Sequence, residues 1–125
     1  MLFDTDVLIW VFRGSKAAAR LVDGTDDRAI SVVTYMELLQ GARSKQELRS
    51  IKEFLVDLGF HMLPLTENIG HRAAIYIEEY GLKAGLCMAD ALIAATAVEH
   101  GLVLCTANRK HYTPVHDLEM KPLRP

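Results

Sequence analysis

The segment Met88-Ala-Asp-Ala-Leu-Ile-Ala-Ala-Thr-Ala-Val-Glu-His-Gly101 constrains the fold more than any other stretch. It is rich in Ala and Leu and apolar almost all round, and it ends on a glycine. Such a pattern is a buried helix stopped by a left-handed cap. A helix with no polar face must be covered on every side, so it needs a sheet beneath it and other helices beside it. Its one acid near the start, Asp90, lies in the first turn, where the helix dipole favours negative charge.

The rest of the chain supplies the sheet. Met1-Leu-Phe-Asp4 reads as a short apolar strand ending in an acid, and Ala29–Val33 as a β-branched buried strand. Phe60–Leu65 and Leu102–Cys105 are further short apolar runs, and Leu118–Lys121 is a last strand. Between them lie helical patterns over Val7–Phe12, Lys16–Val22 and Thr34 to Gly41. A further one opens at Ser44 and closes at Gly59, and another is capped by Thr66 and ended by Gly81. Residues 82–86 read as a loop. Thr34–Glu37 and Ser44–Glu47 both fit the Ser/Thr-x-x-Glu capping box. Short apolar strands alternating with helices predict an α/β fold: a four- or five-stranded parallel sheet covered on both faces in three α/β/α layers. At 125 residues without repeats or linkers, one domain over 1–125 is expected.

A net charge of −2 gives no global attraction for nucleic acid, although a local basic rim remains compatible with it. No apolar run approaches the ~18 residues of a membrane span, and the start shows no signal-peptide pattern. A cytoplasmic protein is expected, with Cys87 and Cys105 as inert core thiols. No zinc-ligand spacing is present.

Three acids from distant segments sit at element ends: Asp4 after the first strand, Glu37 at a helix start, and Asp90. Each alone can be a cap. Together, on elements that should be buried, and with no Lys or Arg within three residues of Asp4 or Asp90, they predict carboxylates without partners. Carboxylates a few Å apart repel by roughly 1–4 kcal/mol per pair, so they hold protons or bind a cation. Oxygen ligands select Mg²⁺ or Mn²⁺. Parallel sheets bind ligands beyond the carboxyl ends of their strands, which is where Asp4, Thr106 and Asn108 fall.

Four segments in this order, Asp4-Thr5-Asp6, Glu37 within Thr-Tyr-Met-Glu-Leu-Leu-Gln-Gly, Asp90-Ala-Leu-Ile-Ala-Ala-Thr-Ala, and Thr106-Ala-Asn108-Arg-Lys-His-Tyr112, resemble the motifs of PIN-domain ribonucleases, in particular the VapC toxins. The resemblance spans the full length. It implies a PIN-like fold and a metal-dependent endoribonuclease whose metal-binding acids are Asp4, Glu37 and Asp90. Thr106 then orients Asp4 or a water, and Thr5 and Asp6 are supporting groups. The position of Asn108 is often a fourth acid in that family; here an amide oxygen stands there instead. The resemblance also implies an RNA substrate, a VapB-like antitoxin and a homodimer. Arg13, Arg43, Lys83, Arg109 and Lys110 lie on loops or helix ends and are candidates for RNA phosphates. A non-catalytic PIN-fold RNA- or protein-binding module is the alternative, and metal titration separates the two. A phospho-accepting receiver domain is excluded, because Phe60–Leu65 ends in Pro and Leu where that fold needs an acceptor Asp.

Overall fold

The computed structural model describes residues 1–125. Five parallel strands form one sheet in the order β3-β2-β1-β4-β5: β1 Leu2–Phe3, β2 Ala29–Ser31, β3 His61–Leu63, β4 Leu104–Thr106 and β5 Met120–Pro122. Six helices connect them: α1 Thr5–Phe12, α2 Lys16–Asp23, α3 Val32–Gln40, α4 Lys45–Asp57, α5 Glu67–Ala84 and α6 Met88–Glu99. None is long and apolar enough to cross a membrane.

The expected three layers are present, and the two-residue period of the strands builds them. Leu2, Ala29 and Leu104 point into one core with Ile93, Ala94 and Ala97 of α6 and Ile69 and Ala73 of α5. Phe3, Ile30 and Cys105, each one residue on, point into the other core with Val7, Leu8, Val22 and Leu55. The central strands are therefore buried on both faces, as a parallel sheet requires. Helix α6 is the covered element its sequence demands: Ala91, Ala94, Ala95 and Ala97 are fully buried, and Gly101 follows it at φ 63°.

Several boundaries differ from the sequence reading. Glycine at 81 does not end α5, which continues through Ala84 to a left-handed cap at Gly85, φ 68°. Residues 82–84, expected as loop, are its last turn. A Cβ at Gly81 meets only Ile77 Cγ2 at 3.5 Å, so the position behaves as helix interior. The second strand stops at Ser31, whose hydroxyl caps α3 by accepting from the Val33 N–H. Thr34 is therefore not a cap. It is buried inside α3, and Glu37 lies in the second turn instead of the first. Strand β3, expected to be an apolar core strand, is at the sheet edge with His61 and Met62 exposed. Pro122 closes β5 at the other edge, where a missing N–H costs nothing. The Ser44 box is present with one shift: Ser44 accepts from Glu47 N–H, and the Glu47 carboxylate accepts from Arg43 N–H.

The end of α5 is directly testable. Gly85→Ala should destabilise the protein by about 1 kcal/mol, because a Cβ disfavours the left-handed region. Gly81→Ala should stabilise it by up to about 1 kcal/mol. Urea denaturation midpoints read both, and the reverse pair of signs would return the helix end to Gly81.

Candidate active site

Asp4 follows β1 at the carboxyl edge of the sheet, beside the end of β4. The two strands run in register, Phe3 against Cys105, and Asp4 N–H donates to the Cys105 carbonyl at 2.9 Å. The chain runs outward from β1 through β2 to β3 on one side and then crosses from β3 to β4 on the other side of β1, so Asp4 stands where the strand order reverses. Only 6 % of Asp4 is exposed. One carboxylate oxygen accepts from the Thr5 N–H at 2.9 Å, capping α1. The other accepts from the Thr106 hydroxyl at 2.8 Å.

Thr5, itself buried, ties Glu37 to this centre. Its hydroxyl lies 2.7 Å from Glu37 Oε1 and 3.0 Å from Thr34 Oγ1. With a single proton to give and an ionised carboxylate that can only accept, Thr5 donates to Glu37 and Thr34 donates to Thr5. Thr34 thus replaces its expected capping role with one in the interior. Glu37 itself is exposed on α3.

Asp90 approaches from the start of α6. Its Oδ1 accepts from the Tyr112 hydroxyl at 3.2 Å. Its Oδ2 lies 3.1 Å from the Cys87 thiol and 3.5 Å from His111 Nδ1. Asp6 completes the rim: its carboxylate accepts from Ala107 N–H at 3.3 Å and lies 3.4 Å from Thr106 Oγ1.

Thr5 and Thr106 therefore join Asp4, Glu37 and Asp6, while Asp90 is held separately by Tyr112. No three His, Cys, Asp or Glu side chains stand close enough to form a ready-made metal cage. No Lys or Arg pairs with any of the four; the one basic side chain in reach is the His111 imidazole beside Asp90. The consequence is electrostatic. Burial, with the charge of Asp6 added, pushes the Asp4 carboxyl from 3.8 up to about 7 despite its hydrogen bonds from Thr5 and Thr106. Burial also raises Asp6, and Ala107 and Thr106 oppose it in part. Tyr112 is driven far above its ordinary range by burial and by the charges of Asp4 and Asp90, so its hydroxyl stays a neutral donor.

Asn108 is exposed, its backbone N–H on Thr106 Oγ1 at 2.9 Å and its side-chain nitrogen 3.2 Å from His111 Nε2. Its amide thus turns to the histidine. Arg109 and Lys110 follow on an exposed 3-10 turn, Arg109–His111, next to this contact. Arg13 stacks over Trp10 at 5.8 Å and lines a cleft of about 910 Å³ between α1, α3 and α4, to which Glu37 also contributes. Arg43 and Lys83 are exposed on the α3–α4 connection and near the end of α5.

Of the three side chains now seen around Asp90, Tyr112 is the one to which the sequence assigns no role of its own. Tyr112 and His111 belong to the Thr106–Tyr112 segment, and the signal available was its spacing from Thr106. Cys87 departs from its expected place: it is exposed at the N-cap of α6, and only Cys105 is a core thiol.

A parallel α/β domain with a buried Asp4 at its switch point and further acids at the rim defines a class of acid-lined hydrolytic or binding sites. The PIN domain family matches residues 1–114, and the chain belongs to that family. Among its relatives are ribonuclease VapC10 of Mycobacterium tuberculosis and ribonuclease VapC1 of Rickettsia felis. The first is 37% identical over 123 residues, 95% of this chain and 90% of the relative. The second is 32% identical over 127 residues, 96% and 93% of the two chains. A toxin–antitoxin complex from Klebsiella pneumoniae superposes with TM-score 0.79 at 30% identity, covering 94% of this chain and 93% of that one.

The raised Asp4 carboxyl fixes the sign of a pH effect. Between 3.8 and about 7 the folded protein holds a proton that the unfolded chain releases. Stability without metal is therefore greatest below the lower value and declines as pH rises through the higher one, by on the order of 4 kcal/mol for this group. Urea denaturation in EDTA at pH 5 and pH 8 should show the decline, and Asp4→Asn should flatten it. Equal slopes in both proteins would refute the cause.

Proposed function

We propose that this protein is a metal-dependent endoribonuclease that cleaves RNA phosphodiester bonds and acts as the toxin of a toxin–antitoxin pair. The observation that carries this reading is the buried Asp4 carboxylate, held by the Thr5 N–H and the Thr106 hydroxyl and lacking any Lys or Arg partner. Charge so placed is compensated by a proton or by a cation. The relatives named as VapC ribonucleases and the Klebsiella complex support the activity and the role.

The residues present fit Mg²⁺ or Mn²⁺. Such ions take hard oxygen ligands, and Mg²⁺ commonly uses one or two carboxylates while keeping several waters, so a three-carboxylate cage is not needed. Asp4 and Asp90 would hold the ion, with Glu37, tethered by Thr5, as the third acid of the set. When bound, the ion lowers the pKa of a water and stabilises charge on the phosphoryl oxygens.

The chain's own groups do the rest. Thr106 holds Asp4 from the end of β4, and Asp6 fixes the Ala107 backbone beside it. Glu37, exposed at the edge of the site, is placed to accept a proton from an attacking water. Arg13, Arg43, Arg109 and Lys110 supply phosphate contacts that position RNA without reading its bases. The cleft beside Glu37, with Ile9, Phe12, Leu38, Ile51 and Phe54 in its wall, suits an apolar segment of a VapB-like antitoxin. Apolar side chains exposed at Met36, Ile75, Leu82 and Met88 support a homodimer. The cytoplasm is the compartment that offers both the RNA and a reducing environment for two free thiols.

The turn of Asn108 toward His111 favours one competing reading, a PIN-fold binding module without catalysis. Purified protein incubated with total RNA separates them. Cleavage should require Mg²⁺ or Mn²⁺ and stop with EDTA. Asp4→Asn and Asp90→Asn should abolish it while circular dichroism stays unchanged, and Thr106→Val should reduce it about 10–100-fold. Cleavage that persists in EDTA sinks the metal assignment. No cleavage with either ion leaves the binding module.

A further inference from the structure

We propose that Thr34 is a positioning residue for Glu37 and acts through Thr5, its buried hydroxyl donating to the Thr5 hydroxyl so that the one proton of Thr5 is aimed at the Glu37 carboxylate. The consequence for catalysis rests on the nuclease reading, while the hydrogen-bond geometry stands without it.

Thr34 is fully buried in the first half of α3, one turn before Glu37. A threonine inside a helix usually returns its proton to the carbonyl four residues back, as Thr96 does to Leu92 at 2.7 Å. Thr34 makes no such bond. Its hydroxyl meets only Thr5 Oγ1, 29 positions away in sequence, at 3.0 Å. Thr5 Oγ1 in turn lies 2.7 Å from Glu37 Oε1. The direction of this chain is fixed at both ends. An ionised carboxylate can only accept, and Thr34 has no other acceptor for its proton. A hydroxyl that accepts one hydrogen bond becomes a better donor of the next.

Glu37 depends on this arrangement. It is exposed, and a long acidic side chain on a helix surface samples several rotamers unless something holds it. The bond from Thr5 is its only side-chain hydrogen bond. Thr5 also donates its backbone N–H to Asp4 Oδ1 at 2.9 Å, so one residue places both acids relative to each other. The Thr5 backbone is set by the start of α1, but its hydroxyl proton is free to rotate about the C–O bond. Thr34 occupies the lone pair that leaves Glu37 as the direction for that proton. Thr34 itself bonds no acid, so its influence on the site passes through Thr5.

Thr34→Val exchanges the hydroxyl for a methyl and keeps the branched shape. A residue that only packs α1 against α3 would be served as well by Val. On an oligoribonucleotide that the wild-type protein cleaves, with saturating Mn²⁺, Thr34→Val should lower kcat about 10-fold with KM within about twofold of wild type. Thr34→Ser, which restores the donor, should recover kcat to within about threefold. A kcat in Thr34→Val within about threefold of wild type, or a loss that Ser does not recover, overturns the proposal.

The geometry has a readout that needs no activity. In protein labelled with carbon-13 and held in EDTA, the Glu37 carboxyl resonance should move in Thr34→Val and return in Thr34→Ser. An unmoved Glu37 resonance overturns the proposal. If the wild-type chain cleaves no RNA, the nuclease reading has failed, and this resonance alone decides the role of Thr34. If Thr34→Val does not fold, Thr34→Cys, whose thiol is only a weak donor, carries the same measurements with the same decisions.

Discussion

The hydrogen bond from Thr106 to Asp4 joins residues 102 positions apart and holds the ends of two central strands together at 2.8 Å. Much of the architecture serves it. The bond needs β1 and β4 adjacent, parallel and in register, and that pairing needs a crossover long enough to carry the chain over the sheet. Helix α6 provides the last part of that crossover and enters β4 through the Gly101 turn. The same helix brings Asp90 to the edge where Asp4 lies. The element that buries the sheet and the element that delivers an acid are thus one.

Hydroxyls, and not cations, hold the acids. Thr5, Thr106 and Tyr112 each give a proton to a carboxylate while adding no charge, so the carboxylates are oriented but not neutralised. An Arg in any of these places would hold an acid more firmly and cancel its charge. The cost appears in Asp4, whose carboxyl rises to about 7 under burial and the neighbouring Asp6. Functional sites commonly carry such an electrostatic penalty, offset by packing elsewhere. Here the offset lies in the two cores on either side of the sheet, built from alternate residues of the same short strands.

The match to the PIN domain family and the likeness to the VapC ribonuclease relatives extend along nearly the whole chain. The departure at Asn108 has a local account. The amide faces His111, and Asp6 occupies the side of the Thr106–Ala107 turn nearest Asp4. The negative charge of the rim therefore comes from the first helix as well as from the strand ends.

The sequence alone was enough for the alternation of elements, the all-parallel sheet and the buried character of α6, because hydrophobic period and glycine position are local signals. It also marked Asp4, Glu37 and Asp90 as acids on apolar elements, of which Asp4 alone is buried while Asp90 is half-buried and Glu37 exposed. It misplaced what depends on competition between local and distant partners. Thr34 looks like a cap in one dimension, yet Ser31 sits one strand-end earlier and Thr5 offers Thr34 a buried partner. Gly81 looks like a helix end, but no αL residue is needed there, since α5 continues unhindered to Gly85. Edge or centre is likewise unreadable from Phe60–Leu65, because strand order is set by crossovers and not by composition. Only the tertiary structure could decide that the Tyr112 hydroxyl meets Asp90. A phenol six residues beyond a strand end has no periodic signature, and its partner is chosen by where separate elements happen to converge.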